Sequence, residues 1–204
     1  MTAMQGTQTV MSEPPNALVR EQVDRLLGMQ KDDGHLVFEL EADATIPSEY
    51  VLLLRFLGET RPDEEAGIRR YLLAGQKENG SWPLFTGGAG DLSATVKAYW
   101  ALKICGEDPE SDAMVRARTW ILGKGGAARA NVFTRYSLAL FGHIPWTGCP
   151  AMPVELVHLP RWFPFHTSKV AYWSRTVMIP LLVLCAKRAR AEDASVTIDE
   201  LFVT

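Results

Sequence analysis

The residues able to do chemistry in this 204-residue chain are few and scattered. The three cysteines, Cys105, Cys149 and Cys185, are odd in number and far apart, which reads as small buried apolar side chains in a reducing compartment. The four histidines, His35, His143, His158 and His166, lack metal-ligand spacing and have no paired cysteines, so neither a metal nor a cofactor is expected. Carboxylates cluster as Asp32–Asp33 and in ELEADA at 39–44. GxSxG, a Walker loop, and GxGxxG followed by an acidic residue are absent, so the local signatures of ordinary hydrolases, kinases and dehydrogenases are missing.

One spacing does recur. QKENGSW at 76–82 sets a glutamine, a glycine and a tryptophan at fixed offsets, and QKDDGHL at 30–36 repeats the form. Repetition points to architecture before chemistry, so the elements that carry these residues come next. An apolar fraction of 47% and a charged fraction of 22% are those of a folded globular chain. With a net charge of −3 and both signs mixed along the chain, there is no electrostatic footprint for nucleic acid, although an apolar membrane contact needs none. The start, MTAMQGTQTVMSEPP, has neither the basic end nor the apolar stretch of a signal peptide, and reads as a disordered lead over residues 1–15. No run reaches the ~18 apolar residues that span a bilayer.

Helix pairs explain the recurrence. Asn16 can cap a helix with Val19, Val23, Leu26 and Leu27 on one face, ending near Gln30. A second unit has Asp63 to Glu65 in its first turn, then Ile68, Leu72 and Leu73, and ends at Gln76. A third starts at Asp108–Pro109 and runs through Met114, Ala117 and Ile121 to GKGG at 123–126. Starts spaced by roughly 46 residues indicate an α/α repeat. A more apolar helix follows each: EYVLLLRFLG (49–58), DLSATVKAYWALKICG (91–106) and VFTRYSLALFG (132–142), each closed by glycine. The pattern predicts an all-α protein with buried inner helices inside an amphipathic outer ring.

Residues 143–169 break the rhythm with five prolines, two tryptophans and two phenylalanines. A loop of this length is either functional or an aromatic plug over a barrel end. VAYWSRTVMIPLLVLCAKRAR then resumes as an apolar helix, expected to bend or break at Pro180.

RRYLLAGQKENGSW resembles the QW motif of the triterpene cyclases, with QKDDGHL a degenerate copy (Leu36 in the tryptophan position) and GKGG a more decayed one. The resemblance implies a structural clamp made by Gln76, Gly80 and Trp82 and, in the copy, by Gln30 and Gly34. In such a clamp the amide bonds backbone groups at helix ends and stacks on the indole, while glycine permits the tight turn. DGHLVFELEADATIPSEYVLL, PLFTGGAGDLSATVKAYWALK, NVFTRYSLALFG and PRWFPFHTSKVAYWSRTVMIPLLVL follow, in order, the N-terminal part of bacterial squalene–hopene cyclases, from about residue 17 to the end.

The resemblance implies an α/α-barrel (toroid) of helix-pair repeats over 16–204, incomplete without a downstream part, with the first helix open to assignment to a second barrel. It implies a class II terpene cyclase in which an aspartate of a DxDD motif protonates squalene and a carbocation cascade gives hopene or hopanol. DxDD is absent from this chain, and ELEADA has the wrong spacing, so the expectation is a front segment with no catalytic acid of its own. By the same resemblance Phe133 and Trp173 line the substrate cavity, where aromatic faces stabilise cations by ~2 kcal/mol or more each when desolvated. Val170 and Met178 lie near the substrate channel. Glu49 matches a carboxylate in a polar network at the far end of the cavity, while Lys97 and Asn131 stand where a close family member has an acidic and a basic residue. Squalene and a membrane surface are the implied partners, with a homodimer left open. The implied location is monotopic, at the cytoplasmic face of the bacterial inner membrane, and RWFPF (161–165) is a candidate dipping surface. The alternatives are a non-catalytic α/α-repeat module binding a lipid or a protein, and a prenyltransferase β-subunit relative, which would need zinc ligands not visible here.

Overall fold

A computed structural model describes residues 17–38, 41–164 and 166–203. They fall into two units, one ending at Glu41 and one starting at Ala42. The expected lead over 1–15 and the Asn16 cap lie outside the described residues.

The first unit is α1 (Ala17–Met29) followed by the turn at 31–34. Its apolar positions Leu18, Val23, Leu26 and Leu27 lie along an exposed face.

In the second unit, α2 (Thr45–Phe56) begins four residues before the sequence reading placed it. Asp43 accepts bonds from the backbone N–H of Thr45 at 2.7 Å and from its hydroxyl at 2.5 Å, closing the helix start, and Pro47 is tolerated in the first turn. Helix α3 (Pro62–Ala74) opens on proline and carries Asp63, Glu64 and Glu65 in its first turn. A short hairpin, β1 (Trp82–Pro83) with β2 (Gly90–Asp91), leads into α4 (Leu92–Ile104), which Asp91 caps by accepting from Ala94 N at 2.8 Å.

The third outer helix, α5 (Asp112–Gly123), starts later than the expected Asp108–Pro109 cap. Asp108 instead closes a turn: its carboxylate accepts from Glu110 N at 3.0 Å and its carbonyl from Ser111 N at 2.9 Å. Helix α6 (Val132–Leu140) is capped by Asn131, which accepts from Thr134 N at 2.9 Å. Residues 143–169 form no α-helix among those described, only three short 3-10 turns. Helix α7 (Tyr172–Lys187) then runs through Pro180 without interruption, so of the expected bend or break the break does not occur. Among the described residues the chain is all-α apart from the hairpin.

Helix α4 is the centre of the core. Ten of its thirteen residues are buried, because α2, α3, α5 and the hairpin all pack on it. Fully buried Val51, Leu72, Trp82, Tyr99, Trp100, Met114 and Ile121 form one cluster with Ile198 and Leu201 from the C-terminal segment. Burying each such side chain contributes roughly 1.5–3 kcal/mol. Trp100 meets the rings of Phe141 and His143 edge-on, each with centroids 4.8 Å apart, which ties the end of α6 to α4. A buried ion pair locks α2 to α3: Arg55 donates to both Glu65 oxygens, at 2.9 and 2.7 Å, and to the Glu59 carbonyl at 2.8 Å. Backbone bonds from Glu192 N to Phe56 O and from Asp193 N to Arg55 O seat the C-terminal segment on the same helix.

Candidate functional site

Each residue singled out by sequence now has a place. Gln76 follows the end of α3; its amide donates to Gly80 O at 3.1 Å and to Ala113 O at 2.8 Å, and its carbonyl accepts from Arg116 at 2.9 Å. One side chain therefore binds its own turn and the start of α5. Trp82, 1% exposed, donates through Nε1 to Leu72 O at 2.8 Å and so joins the hairpin to α3. Gly80 is needed for two reasons: its φ is +87°, and a Cβ there would lie 2.5 Å from the Arg116 carbonyl. In the first unit Gln30 donates to Gly34 O at 2.5 Å, with Gly34 at φ +88°, and Leu36 is exposed where the full motif has its buried tryptophan.

Glu49 lies on α2 at the rim of an apolar pocket of about 280 Å³. Leu52, Leu53 and Phe56 of α2, Leu140 and Phe141 at the end of α6, and Leu184 of α7 form its walls. The Glu49 carboxylate pairs with the ammonium group of Lys97, which is nearly inaccessible in the middle of α4 (4% exposed). A buried ammonium beside one half-exposed carboxylate fixes that carboxylate at the pocket edge, since losing it would strand the charge. Asn131 takes no part in this pair: its side chain caps α6 and its N–H donates to Ser93 at 2.9 Å. Sequence reading placed Glu49 and Lys97 in one polar network by resemblance, but did not read the ion pair between them. The signal available was a lysine at the centre of an otherwise apolar helix.

Phe133 and Trp173 occupy the second positions of α6 and α7, and both are exposed, at 46% and 72%. Val170, just before α7, and Met178 within it are half-buried. None of these four lines the Glu49 pocket. Apolar side chains also stand uncovered on α2 (Ile46 and Leu53). Trp162, 77% exposed, stacks edge-on against Phe163 at 5.9 Å in the loop before α7. Among the described residues no group of three or more His, Cys, Asp or Glu is placed to hold a metal ion, and no helix is long and apolar enough to cross a membrane.

The described residues define an all-α protein in which Gln76 and Trp82 tie α3, the hairpin and α5 together, with a largely apolar pocket lined from α2, α6 and α7. The comparisons make the class specific. The model of the squalene–hopene cyclase N-terminal domain matches residues 19–204. The chain is 54% identical over 195 residues to the squalene–hopene cyclase of Zymomonas mobilis, covering 95% of this chain and 30% of that protein. It is 46% identical over 206 residues to the squalene–hopene cyclase of Bradyrhizobium diazoefficiens, covering 99% and 31%. It is 37% identical over 166 residues to that of Alicyclobacillus acidocaldarius, covering 81% and 26%. This chain belongs to the squalene–hopene cyclase family, and it spans about 30% of the length of the first two relatives.

Proposed function

We propose that these residues form the front wall of a squalene–hopene cyclase, which converts squalene to hopene or hopanol by alkene protonation and a carbocation cascade. The family match across 19–204 carries the reading. The proton donor comes from outside this chain, because no DxDD occurs in it. What the chain supplies is shape and field. Phe133 and Trp173 present aromatic faces to the cationic intermediates, and Val170 and Met178 line the approach. The clamp of Gln76, Gly80 and Trp82 ties α3, the hairpin and α5 together as scaffold. Glu49, held by Lys97, offers a fixed negative charge where the cascade ends, to orient water or take up the final proton.

Squalene is the substrate in this proposal, drawn from a membrane on which the enzyme sits as a monotopic protein at the cytoplasmic face of the bacterial inner membrane. Exposed Trp162, edge-on against half-buried Phe163, supports a lipid-facing role for that loop, since tryptophan favours the interface. Sedimentation of the purified protein tests whether it assembles as a homodimer. The test of function is incubation of the purified 204-residue chain with squalene in detergent, followed by mass spectrometry of the extract. No hopene is expected from the chain alone; hopene from it would mean that the acid lies within these residues.

A further inference from the structure

A groove of about 690 Å³ lies between the loop at 146–155 and the end of α7, apart from every residue assigned above. Trp146, Cys149, Met152 and Val154 line it from the loop, Cys185 and Arg188 from the helix end. Two of the three cysteines, 36 positions apart in sequence, therefore face one cavity. They also share a packing partner. Tyr136 of α6, 3% exposed, forms a small core with Cys149, and Cys185 packs against it. Burial first, and then the neighbouring Cys185 and Cys149 thiols, push the Tyr136 phenol up to about 12.

The backbone on both sides of Cys149 is pinned to α6. Arg135 donates to Gly148 O at 3.2 Å, and the Tyr136 hydroxyl to Pro150 O at 2.9 Å. Cys185 is fixed by the last turns of α7, and Arg188 N donates to its carbonyl at 3.3 Å. Cys105 belongs to the other core, at the end of α4, where burial pushes its thiol up to about 11. It serves as an internal control.

We propose that Cys149 and Cys185 are a dithiol–disulfide modification site, oxidised by a small disulfide of the glutathione type, whose closure staples the 146–155 loop to α7. Cys185, the less buried thiol, attacks first as thiolate. Its sulfur bonds to one sulfur of the small disulfide, and the other half leaves as a free thiol. Cys149 then attacks the Cys185 sulfur of the mixed disulfide and releases the second small thiol. Two protein S–H bonds are lost, and their two electrons and two protons end on the two released thiols. Burial holds the Cys149 thiol above its usual range, so closure is slow at neutral pH and accelerates as pH rises.

The experiment oxidises the folded protein, as its gene encodes it, with excess oxidised glutathione at mildly alkaline pH. Free thiols are then alkylated and non-reduced peptides mapped by mass spectrometry. The expected result is a Cys149–Cys185 linked peptide lighter by two hydrogens, with Cys105 alkylated, and a Tm raised by several degrees that a reductant reverses. Cys149→Ala and Cys185→Ala, shown to be folded by circular dichroism, each lose the link and the gain in Tm. Because a disulfide requires the two Cα atoms within about 7 Å, linkage without denaturant is the discriminating result. Separate glutathione adducts on the two cysteines, both thiols left reduced, or linkage only in denaturant would overturn the proposal.

Discussion

Gly80→Ala measures how tightly the QKENGSW turn is pressed against α5. Gly80 has φ +87°, and an added Cβ would lie 2.5 Å from both the carbonyl carbon and oxygen of Arg116 and 2.8 Å from Ala117 N. These are backbone atoms of α5, so no side chain can swing away. The left-handed conformation costs about 1–2 kcal/mol with a Cβ present, and displacing a packed neighbour about 1–3 kcal/mol more. The sum is about 2–5 kcal/mol. Gly106 supplies the control: φ is +82°, but a Cβ there meets nothing within 4 Å, so Gly106→Ala bears only the conformational part. Urea unfolding of both variants, with the slope m unchanged, reads the two costs directly. A drop in Tm of about 2–4 °C per kcal/mol should appear for a chain of this size, larger for Gly80→Ala. Equal destabilisation of the two variants would refute the reasoning, because it would show that α5 does not bear on the turn.

Other consequences follow from the charged and clamped groups. Glu49→Ala strands the Lys97 ammonium and is expected to cost about 3 kcal/mol or more, whereas Lys97→Met leaves a half-exposed carboxylate in water and costs under about 1 kcal/mol; paired melting curves check the asymmetry. Arg55→Met removes the buried partner of Glu65 and is expected to cost about 3–5 kcal/mol, with part of it recovered in Arg55→Met/Glu65→Leu. The Arg55 guanidinium, ahead of any other group, holds the Glu65 carboxyl below the usual range. Its contribution is therefore present above the unfolded value of about 4.3 and is lost as pH falls through the lower folded value; Glu65→Gln removes that part of the acid-side slope, which stability measured against pH will show. Gln76→Ala leaves the Gly80 and Ala113 carbonyls without their shared donor and should lower stability by about 2 kcal/mol in the same denaturant assay.

The helices were legible in the sequence because their apolar spacing is strong and their ends are marked. Asp91 and Asn131 cap α4 and α6, and Gly58, Gly106 and Gly142 follow α2, α4 and α6 with positive φ. Misplaced boundaries came from local side-chain bonds that propensity cannot rank. Asp43 extended α2 backwards by accepting twice from Thr45, and Asp108 spent its carboxylate on a turn instead of a cap. Pro180 did not stop α7, because tertiary packing overrides a single missing N–H, and Leu182 beyond it is fully buried. In the site, Glu49 was legible only through resemblance. Its pairing with Lys97 joins residues 48 positions apart, and the Arg55–Glu65–Asp193 cluster joins three segments, so both depend on how the helices stack. Nothing in local spacing records such pairs.

The central claim is that these residues build a working cavity wall for squalene cyclisation. The direct measurement is a chimaera in which residues 17–204 replace the matching region of the Zymomonas mobilis squalene–hopene cyclase, assayed with squalene by gas chromatography and mass spectrometry. Formation of hopene by the chimaera is the expected result, reduced when Phe133 or Trp173 is changed to leucine. A chimaera that folds and still leaves squalene unchanged would contradict the claim.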